Sequence, residues 1–489
     1  MSSHLMDEET PLLRQQVQDT QGTISKKQRT PLPWRQLSIL MLLQVSEPIT
    51  SQVIAPFLPQ LIRDIGITNG EDSRVGYYVG LMYSLFFLTE ACTIFHWSRV
   101  SDQIGRKPVL LTGLFGLSVS MYCFGLATTF WGLVLSRCLN GALNGNIGVM
   151  KSMVAEITDS TNMAQAYGIL PFSWAFGSTV GPLIGGSLAK PADRFPEIFG
   201  NSAFLNKYPY FLPCSVPATV TALFWLITFI FLKETTKPTK TLKQYVFGGK
   251  PMLRVDSPAP RNPHTGPTSK TEDRQLTFRA LLVRPVLIAA GSYATFSLVD
   301  MAFRAVVPVF YATPIEMGGL NLDPPAIGTI LSLLGISGGV LVWMFFAPMH
   351  DWLGAKKMFL VAVSACLPMI ALFPVINFVA RDQGLNNVVW CLVGLQMALS
   401  IFASLAFGVT FMFINAAAPN RASIGATNGL AQMIVSVMRA VGPAVVNSAF
   451  SLSIEQHIMG GYLAYWVLAG MVLITLWVGS LLPQNLWND

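Results

Sequence analysis

The chain has 489 residues, 52% hydrophobic and only 12% charged, with 32 Lys and Arg against 25 Asp and Glu and a formal net charge of +7. Its mean hydropathy is +0.50. A soluble domain carries about 25% charged residues and must wet its whole surface. This composition therefore excludes an ordinary soluble enzyme, a disordered chain and, with six scattered cysteines, a disulfide scaffold.

In chain order, residues 1–36 are polar and are expected to form a disordered cytoplasmic tail. Nothing apolar precedes residue 37, so no cleavable signal peptide is expected. Within the tail, Glu8 followed by Leu12 and Leu13 fits an acidic dileucine sorting signal, the type read by adaptor proteins. That points to a vacuolar or endosomal membrane, with the plasma membrane as the alternative.

A helix needs about 20 apolar residues to cross ~30 Å of hydrocarbon. Twelve stretches qualify, near 37–59, 75–97, 108–127, 130–150, 163–188, 210–232, 284–310, 325–347, 357–378, 388–413, 424–451 and 460–482. Three of them, 37–59, 163–188 and 424–451, contain Pro, Gly and polar residues, as helices lining transport pathways do. Residues 233–283 are rich in Pro, Gly, Lys and Arg and read as a cytoplasmic linker between two six-span halves, 37–232 and 284–482. Residues 483–489 form a second tail. An even number of spans places both termini on one side, and the excess of Lys and Arg makes that side cytoplasmic. The positive charge is thus a topology signal rather than a nucleic-acid footprint. No Cys or His spacing suggests a metal site.

The halves echo each other at nearly constant offset. Asp102-x-x-Gly105-Arg106-Lys107 follows span two, and Asp351-x-x-Gly354-Ala355-Lys356 follows span eight. Gly181-Pro182 in span five matches Gly442-Pro443 in span eleven, and Glu47 in span one matches Asp300 in span seven.

With these motifs the chain resembles the major facilitator superfamily over nearly its whole length. It is most similar to the twelve-span drug:proton antiporter branch and to that branch's fungal zinc-induced-facilitator-like and secondary-metabolite transporters. Ser98 to Lys107 matches the family's Gly-x-x-x-Asp-x-x-Gly-Arg-Lys signature, with Ser98 in place of the first Gly. Arg137-x-x-x-Gly141 looks like the next motif, Gly177-x-x-x-Gly181-Pro182-x-x-Gly185-Gly186 resembles the antiporter motif of span five, and Glu47 with Ala55-Pro56 resembles the acidic motif of span one. The resemblance implies an all-α integral membrane protein of the major facilitator fold, with twelve transmembrane helices in two pseudo-symmetric six-helix bundles. It also implies a conformational latch at Asp102, Gly105, Arg106 and Lys107, with its counterpart at Asp351, Gly354 and Lys356, and a role for span five in antiport.

The residues allow these roles. Gly105 permits the tight turn. Asp102 is able to accept from helix N-terminal amides or to pair with an Arg across the halves, and Arg106 and Lys107 to meet anionic lipid headgroups. Charges inside a membrane need a partner or a watery cavity. The acids Glu47, Glu90 and Asp300 and the bases Arg137, Arg304 and Arg439 are expected to form a neutralised central network, with Asp300 and Arg304 four apart on one helical face. A carboxylate in a dry cavity is easier to protonate than one in water. Glu47 is the first choice of proton carrier and Glu90 the second; a purely structural salt-bridge set is the alternative. Gln44, Gln52, Tyr83, Asn140, Asn144, Trp174, Tyr293, Phe296 and Gln432 are the candidate cavity walls, where aromatics cradle a cation or flat ring.

The expected function is proton-coupled secondary transport of a small organic solute, cationic or aromatic, by alternating access. The proton gradient would stand in place of any cofactor, lipid would surround a monomer, and no nucleic acid would bind. Rival readings are a nutrient or metal-chelate importer or uniporter of the same fold, and a non-transporting receptor or scaffold. An enzyme or ATP-driven pump is not expected: HExxH and GxxxxGK[ST] are both missing from the sequence.

Overall fold

The computed structural model describes residues 30–159, 162–236, 278–419 and 423–484. The sorting signal at Glu8, Leu12 and Leu13, most of the central linker and residues 485–489 lie outside the described residues. All regular structure among the described residues is helical.

The first half contains α1 (Trp34–Gln52), α2 (Leu58–Ile65), α3 (Val75–Ile104), α4 (Arg106–Leu126), α5 (Phe130–Leu143), α6 (Asn146–Ile157), α7 (Met163–Leu188) and α8 (Phe211–Phe231). The second contains α9 (Arg284–Ala312), α10 (Pro324–Leu353), α11 (Ala355–Ser364), α12 (Cys366–Gln383), α13 (Asn387–Ala417), α14 (Ile424–Gln456) and α15 (Leu463–Ser480). With α5–α6 and α11–α12 each read as one broken rod, and the short α2 as the continuation of α1, the described residues make twelve rods. Nine candidate membrane spans are long and apolar enough by composition alone. The other three rods are α1, α5–α6 and α7, which carry most of the polar residues of the first half's interior.

Three rods differ from the expected continuous spans: α11–α12 is interrupted at Ala365, and the other two break for local reasons. The stretch 37–59 is not one helix. α1 stops at Gln52, and α2 begins only at Leu58. Pro56 between them has no N–H to continue the ladder. The stretch 130–150 is broken at Asn144 and Gly145, and its second part runs on to Ile157. The break frees the Ala142 carbonyl, which accepts a 2.7 Å hydrogen bond from the Trp97 indole of α3. Gly145 is needed there, because a Cβ would sit 2.4 Å from the Trp97 side chain.

The rods alternate in direction, so one face of the molecule carries Trp34 and Ser480 and the opposite, far face carries the α1–α3, α9–α10 and α14–α15 connections. α3 packs on α14 and α7 packs on α10, and these two pairs join the halves. Apolar burial supplies the bulk of the packing within each half.

Candidate functional site

Four buried or half-buried charged residues, three from the first half and one from the second, interact electrostatically. Glu47 on α1 and Glu90 on α3 are 8% and 2% exposed. Asn144, at the break between α5 and α6, donates from Nδ2 to Glu90 Oε1 at 3.4 Å. Arg439, from α14 of the other half, interacts electrostatically with both carboxylates, and the carboxylates with each other. The fourth member is Lys151 on α6, which interacts with Glu47 and Arg439. Its Nζ lies 5.9 Å from the centre of the Phe411 ring of α13, across the gap between halves. Hydropathy reasoning ended the fourth span at residue 150 and so left Lys151 out. The Asn144-Gly145 break is the signal that would have carried the rod further.

Beside Glu47 is a cavity of about 30 Å³, lined by Gln44, Glu47, Leu117, Asn146, Met150 and Trp174 among others. That is enough for a water. Gln44 Oε1, both amide atoms of Asn146, Asn140 Oδ1 and Asn144 Oδ1 are buried without a protein partner. Unspent donors and acceptors at this density suit water or a polar solute.

The remaining candidates divide. Gln52 lies where α1 meets Gly181 of α7. Tyr293 is buried against Phe411 and Phe407 at centroid distances of 5.3 and 6.3 Å. Gln432 is half-buried on α14. Tyr83 is 7% exposed and sits in the hydrophobic core. Phe296 is 1% exposed and meets Phe407 at 4.7 Å and Phe359 at 6.2 Å edge to face, inside the second half rather than on a cavity wall. Asp300 and Arg304 pair with each other at 2.8 Å. Arg137, 1% exposed, forms no ion pair with a carboxylate among the described residues. It lies 4.9 Å from the Phe86 ring centre and donates from Nε to the Met82 carbonyl at 3.4 Å. The expected three-acid, three-base network thus divides: Glu47 and Glu90 interact with Arg439 and are joined by Lys151, Asp300 pairs with Arg304, and Arg137 stands against Phe86.

The residues expected to form a latch gather on the terminal face. Gly105 has φ +102°, a left-handed conformation. Asp102 pairs with Arg106 at 2.6 Å, and Arg106 reaches Glu156 of α6 at 3.0 Å. The amides at the start of α4 are capped by Glu234, which accepts from Arg106 N at 2.8 Å and Lys107 N at 3.0 Å. Lys107 Nζ donates to the Phe229 carbonyl at 2.8 Å. In the second half, Gly354 repeats the left-handed turn with φ +73°, Lys356 Nζ donates to the Ser480 carbonyl at 2.7 Å, and Asp351 is exposed.

The glycines of α7 form two contact edges. A Cβ at Gly177 would lie 2.5 Å from the Pro48 ring, one at Gly181 3.0 Å from the Ile49 carbonyl oxygen, and one at Gly185 1.9 Å from the Val53 carbonyl oxygen. Gly186 faces the other half, where a Cβ would meet the Pro324 carbonyl at 2.4 Å; the Pro182 carbonyl lies against Gly328. One helix therefore touches both the Glu47-bearing α1 and the second half.

The fold and site define a membrane carrier: two helical halves with buried charge at their interface. The chain belongs to the Major Facilitator Superfamily, whose pattern matches residues 40–443. It is 30% identical to the major facilitator-type transporter psiT2 of Psilocybe cyanescens, over 97% of this chain and 94% of that protein. It is 28% identical to the protein ZINC INDUCED FACILITATOR 1 of Arabidopsis thaliana, over 92% of this chain and 91% of that protein. Among solved structures, a D-xylose-proton symporter superposes with TM-score 0.66 at 14% identity, covering 93% of this chain and 99% of that one. At that identity the likeness is one of fold. The chain is a membrane transporter of this superfamily and not an enzyme.

Proposed function

We propose that the protein is a proton-coupled antiporter that moves a positively charged small organic solute by alternating access. The observation that carries this reading is the adjacent pair Glu47 and Glu90, buried at the interface between halves and facing one arginine, Arg439, of the opposite half. Two carboxylates that repel each other in a low-dielectric site favour holding a proton on one of them. A solute cation and that proton compete for the same oxygens, so arrival of one releases the other. Rocking of the halves along α3–α14 and α7–α10 would then expose the site to each side in turn. The resemblance of the span-five motif, Gly177 to Gly186, to that of the antiporter branch supports export as the direction.

The experiment is transport in proteoliposomes with an imposed pH gradient. Glu47→Gln is expected to abolish proton-driven accumulation while expression persists. Full gradient-driven accumulation in this variant would remove Glu47 as carrier, and flux indifferent to the gradient in the unaltered protein would replace the antiporter with a uniporter. For the membrane address, Leu12→Ala with Leu13→Ala is expected to shift a tagged protein from internal membranes to the cell surface; an unchanged location would discard the dileucine reading.

A further inference from the structure

We propose that Gln44, Glu47 and Asn146 hold a resident water between them, and that this water lets Glu47 gain and lose a proton with no buried polar group left unpaired. Asn146 is then a positioning residue for Glu47. The water site stands on geometry; its service to Glu47 rests on the reading of that residue as the proton carrier.

Glu47 belongs to two neighbourhoods. One is the charged group with Glu90, Lys151 and Arg439. The other is the cavity of about 30 Å³, whose lining comes wholly from the first half: Gln44 and Glu47 of α1, Leu117 of α4, Asn146 and Met150 of α6 and Trp174 of α7. Glu47 is the one ionisable group among the residues that line it. The volume selects the occupant. A water needs roughly 10–15 Å³ and two to four polar partners, whereas pockets for organic solutes run to about 300 Å³ or more. The partners are present. Gln44 Oε1 and both amide atoms of Asn146 are buried with no hydrogen-bond partner among the described residues, and Asn146 is 4% exposed. The break at Asn144 and Gly145 makes Asn146 the first residue of α6. α4 gives up a side chain where this amide lies: a Cβ at Gly113 would sit 2.1 Å from Asn146 Oδ1 and 2.5 Å from Nδ2.

The chemistry follows from what each atom donates or accepts. While Glu47 is ionised, the water donates one hydrogen to its carboxylate and the other to Gln44 Oε1, and accepts from Asn146 Nδ2. Once Glu47 is protonated, its O–H donates to the water oxygen, which still accepts from Asn146 and still donates to Gln44. The water turns and keeps three partners in both states. An amide facing Glu47 directly would have to turn end for end at each change, and an apolar wall would leave one state without a partner at all, which burial makes costly. The proton carrier is thus served from inside the first half, in a space too small for the solute. The solute meets the carboxylates from the side of Arg439, and the two ligands do not crowd each other.

The test is X-ray radiolytic labelling of the purified full chain in detergent. Hydroxyl radicals formed from a bound water oxidise the side chains beside it, while radicals from bulk solvent do not reach a buried residue. Met150 lines the cavity and Met153, on the same helix, does not; they are 1% and 0% exposed. Met150 is expected to be oxidised several-fold faster than Met153, and equal rates would overturn the site. Asn146→Leu, close to the amide in volume, is expected to bring Met150 down to the rate of Met153. Asn146→Ser keeps a polar anchor and is expected to leave Met150 fast. A fast Met150 in the leucine variant would overturn the role of Asn146. In proteoliposomes, Asn146→Leu is expected to lower the turnover of gradient-driven transport about tenfold, the size of one hydrogen bond to a charged group, with a much smaller change in KM. Asn146→Ser should recover most of that turnover. A rise in KM as large as the loss of turnover would make Asn146 a solute contact and overturn the separation of the two ligands. Should the leucine variant fail to fold, the ratio of Met150 to Met153 in the unaltered chain decides alone. The same pair of measurements separates this inference from the antiporter reading. Fast labelling of Met150 beside flux indifferent to a pH gradient would sink the antiporter and spare the water site. Gradient-driven transport beside slow labelling of Met150 would do the reverse.

Discussion

Arg63, on α2 of the first half, donates from Nη2 to the backbone carbonyl of Ala312 at the end of α9 in the second half, at 2.8 Å. Asp72 holds the guanidinium from the other side through Nε at 2.6 Å. Nearby, Arg74 approaches Glu455 at 3.8 Å and the Tyr77 hydroxyl donates to Glu455 at 3.3 Å. The Arg63–Ala312, Arg74–Glu455 and Tyr77–Glu455 contacts join the halves at the far face, so that end of the molecule is closed. Arg63 also meets a helix C-terminus, where the backbone dipole favours a cation.

Removing this clasp with Arg63→Gln is expected to shift the equilibrium toward opening at the far face. A partly solvated charged hydrogen bond is worth about 1 kcal/mol, or roughly fivefold in the population ratio. Spin labels on the ends of α2 and α9 would report a longer mean distance in the variant. An unchanged distance distribution would show that the glycine contacts alone keep the face shut.

The glycine edge of α7 gives a prediction with a built-in control. Gly185→Ala places a methyl against the Val53 backbone carbonyl, which cannot move without moving α1. The expected cost is about 1–3 kcal/mol, seen as a lower melting temperature in detergent. Gly148→Ala on α6 meets nothing within 4 Å and is expected to be neutral or stabilising. Equal behaviour of the two variants would discard the close-packing account.

At the terminal face, Asp102 and Glu234 are expected to separate on mutation. Glu234→Ala removes the cap from two amides of α4 and should lower stability by on the order of 1 kcal/mol or less. Asp102 is an exposed partner of Arg106, with a side chain 60% accessible, so Asp102→Asn should barely change the melting temperature. It is expected instead to slow turnover more than it weakens solute binding. A loss of affinity without a loss of rate would place Asp102 outside the conformational cycle.

Asp300 and Arg304 lend themselves to a double-mutant cycle. Asp300→Asn strips the partner from a cation within a membrane-spanning helix and is expected to cost about 2 kcal/mol. Arg304→Gln added to it should restore most of that stability, because no charge is then left alone. Additive losses would mean that the two groups answer to different partners.

One tie outside the spans bears on pH. Tyr210 donates to Asp64, and Lys190 reaches the same carboxylate at 2.9 Å. Burial first, and then the Asp64 charge, hold the Tyr210 phenol above its ordinary pKa. The phenol therefore stays protonated and remains a donor through the physiological range, and this contact is not where a pH gradient acts.

The sequence by itself determined the class of protein, the broad course of the chain through the membrane and the family, because these depend on runs of apolar residues and on short motifs such as Asp102 to Lys107 and Gly177 to Gly186. Such features are local, and a span or a glycine turn is written in consecutive residues. It also picked out Glu47, Glu90 and Arg439 as charges that need company. Which charge meets which was decided only by the tertiary structure. Asp300 and Arg304 found each other because four residues is one helical turn. Arg137 packed on Phe86 without an acid, and Lys151 entered the site because a helix with a watery cavity beside it can carry a charge past the point where hydropathy ends the span. Those pairings join rods far apart in the chain, and the free energy that sets them is the cost of leaving a charge alone in low dielectric, which no local pattern records.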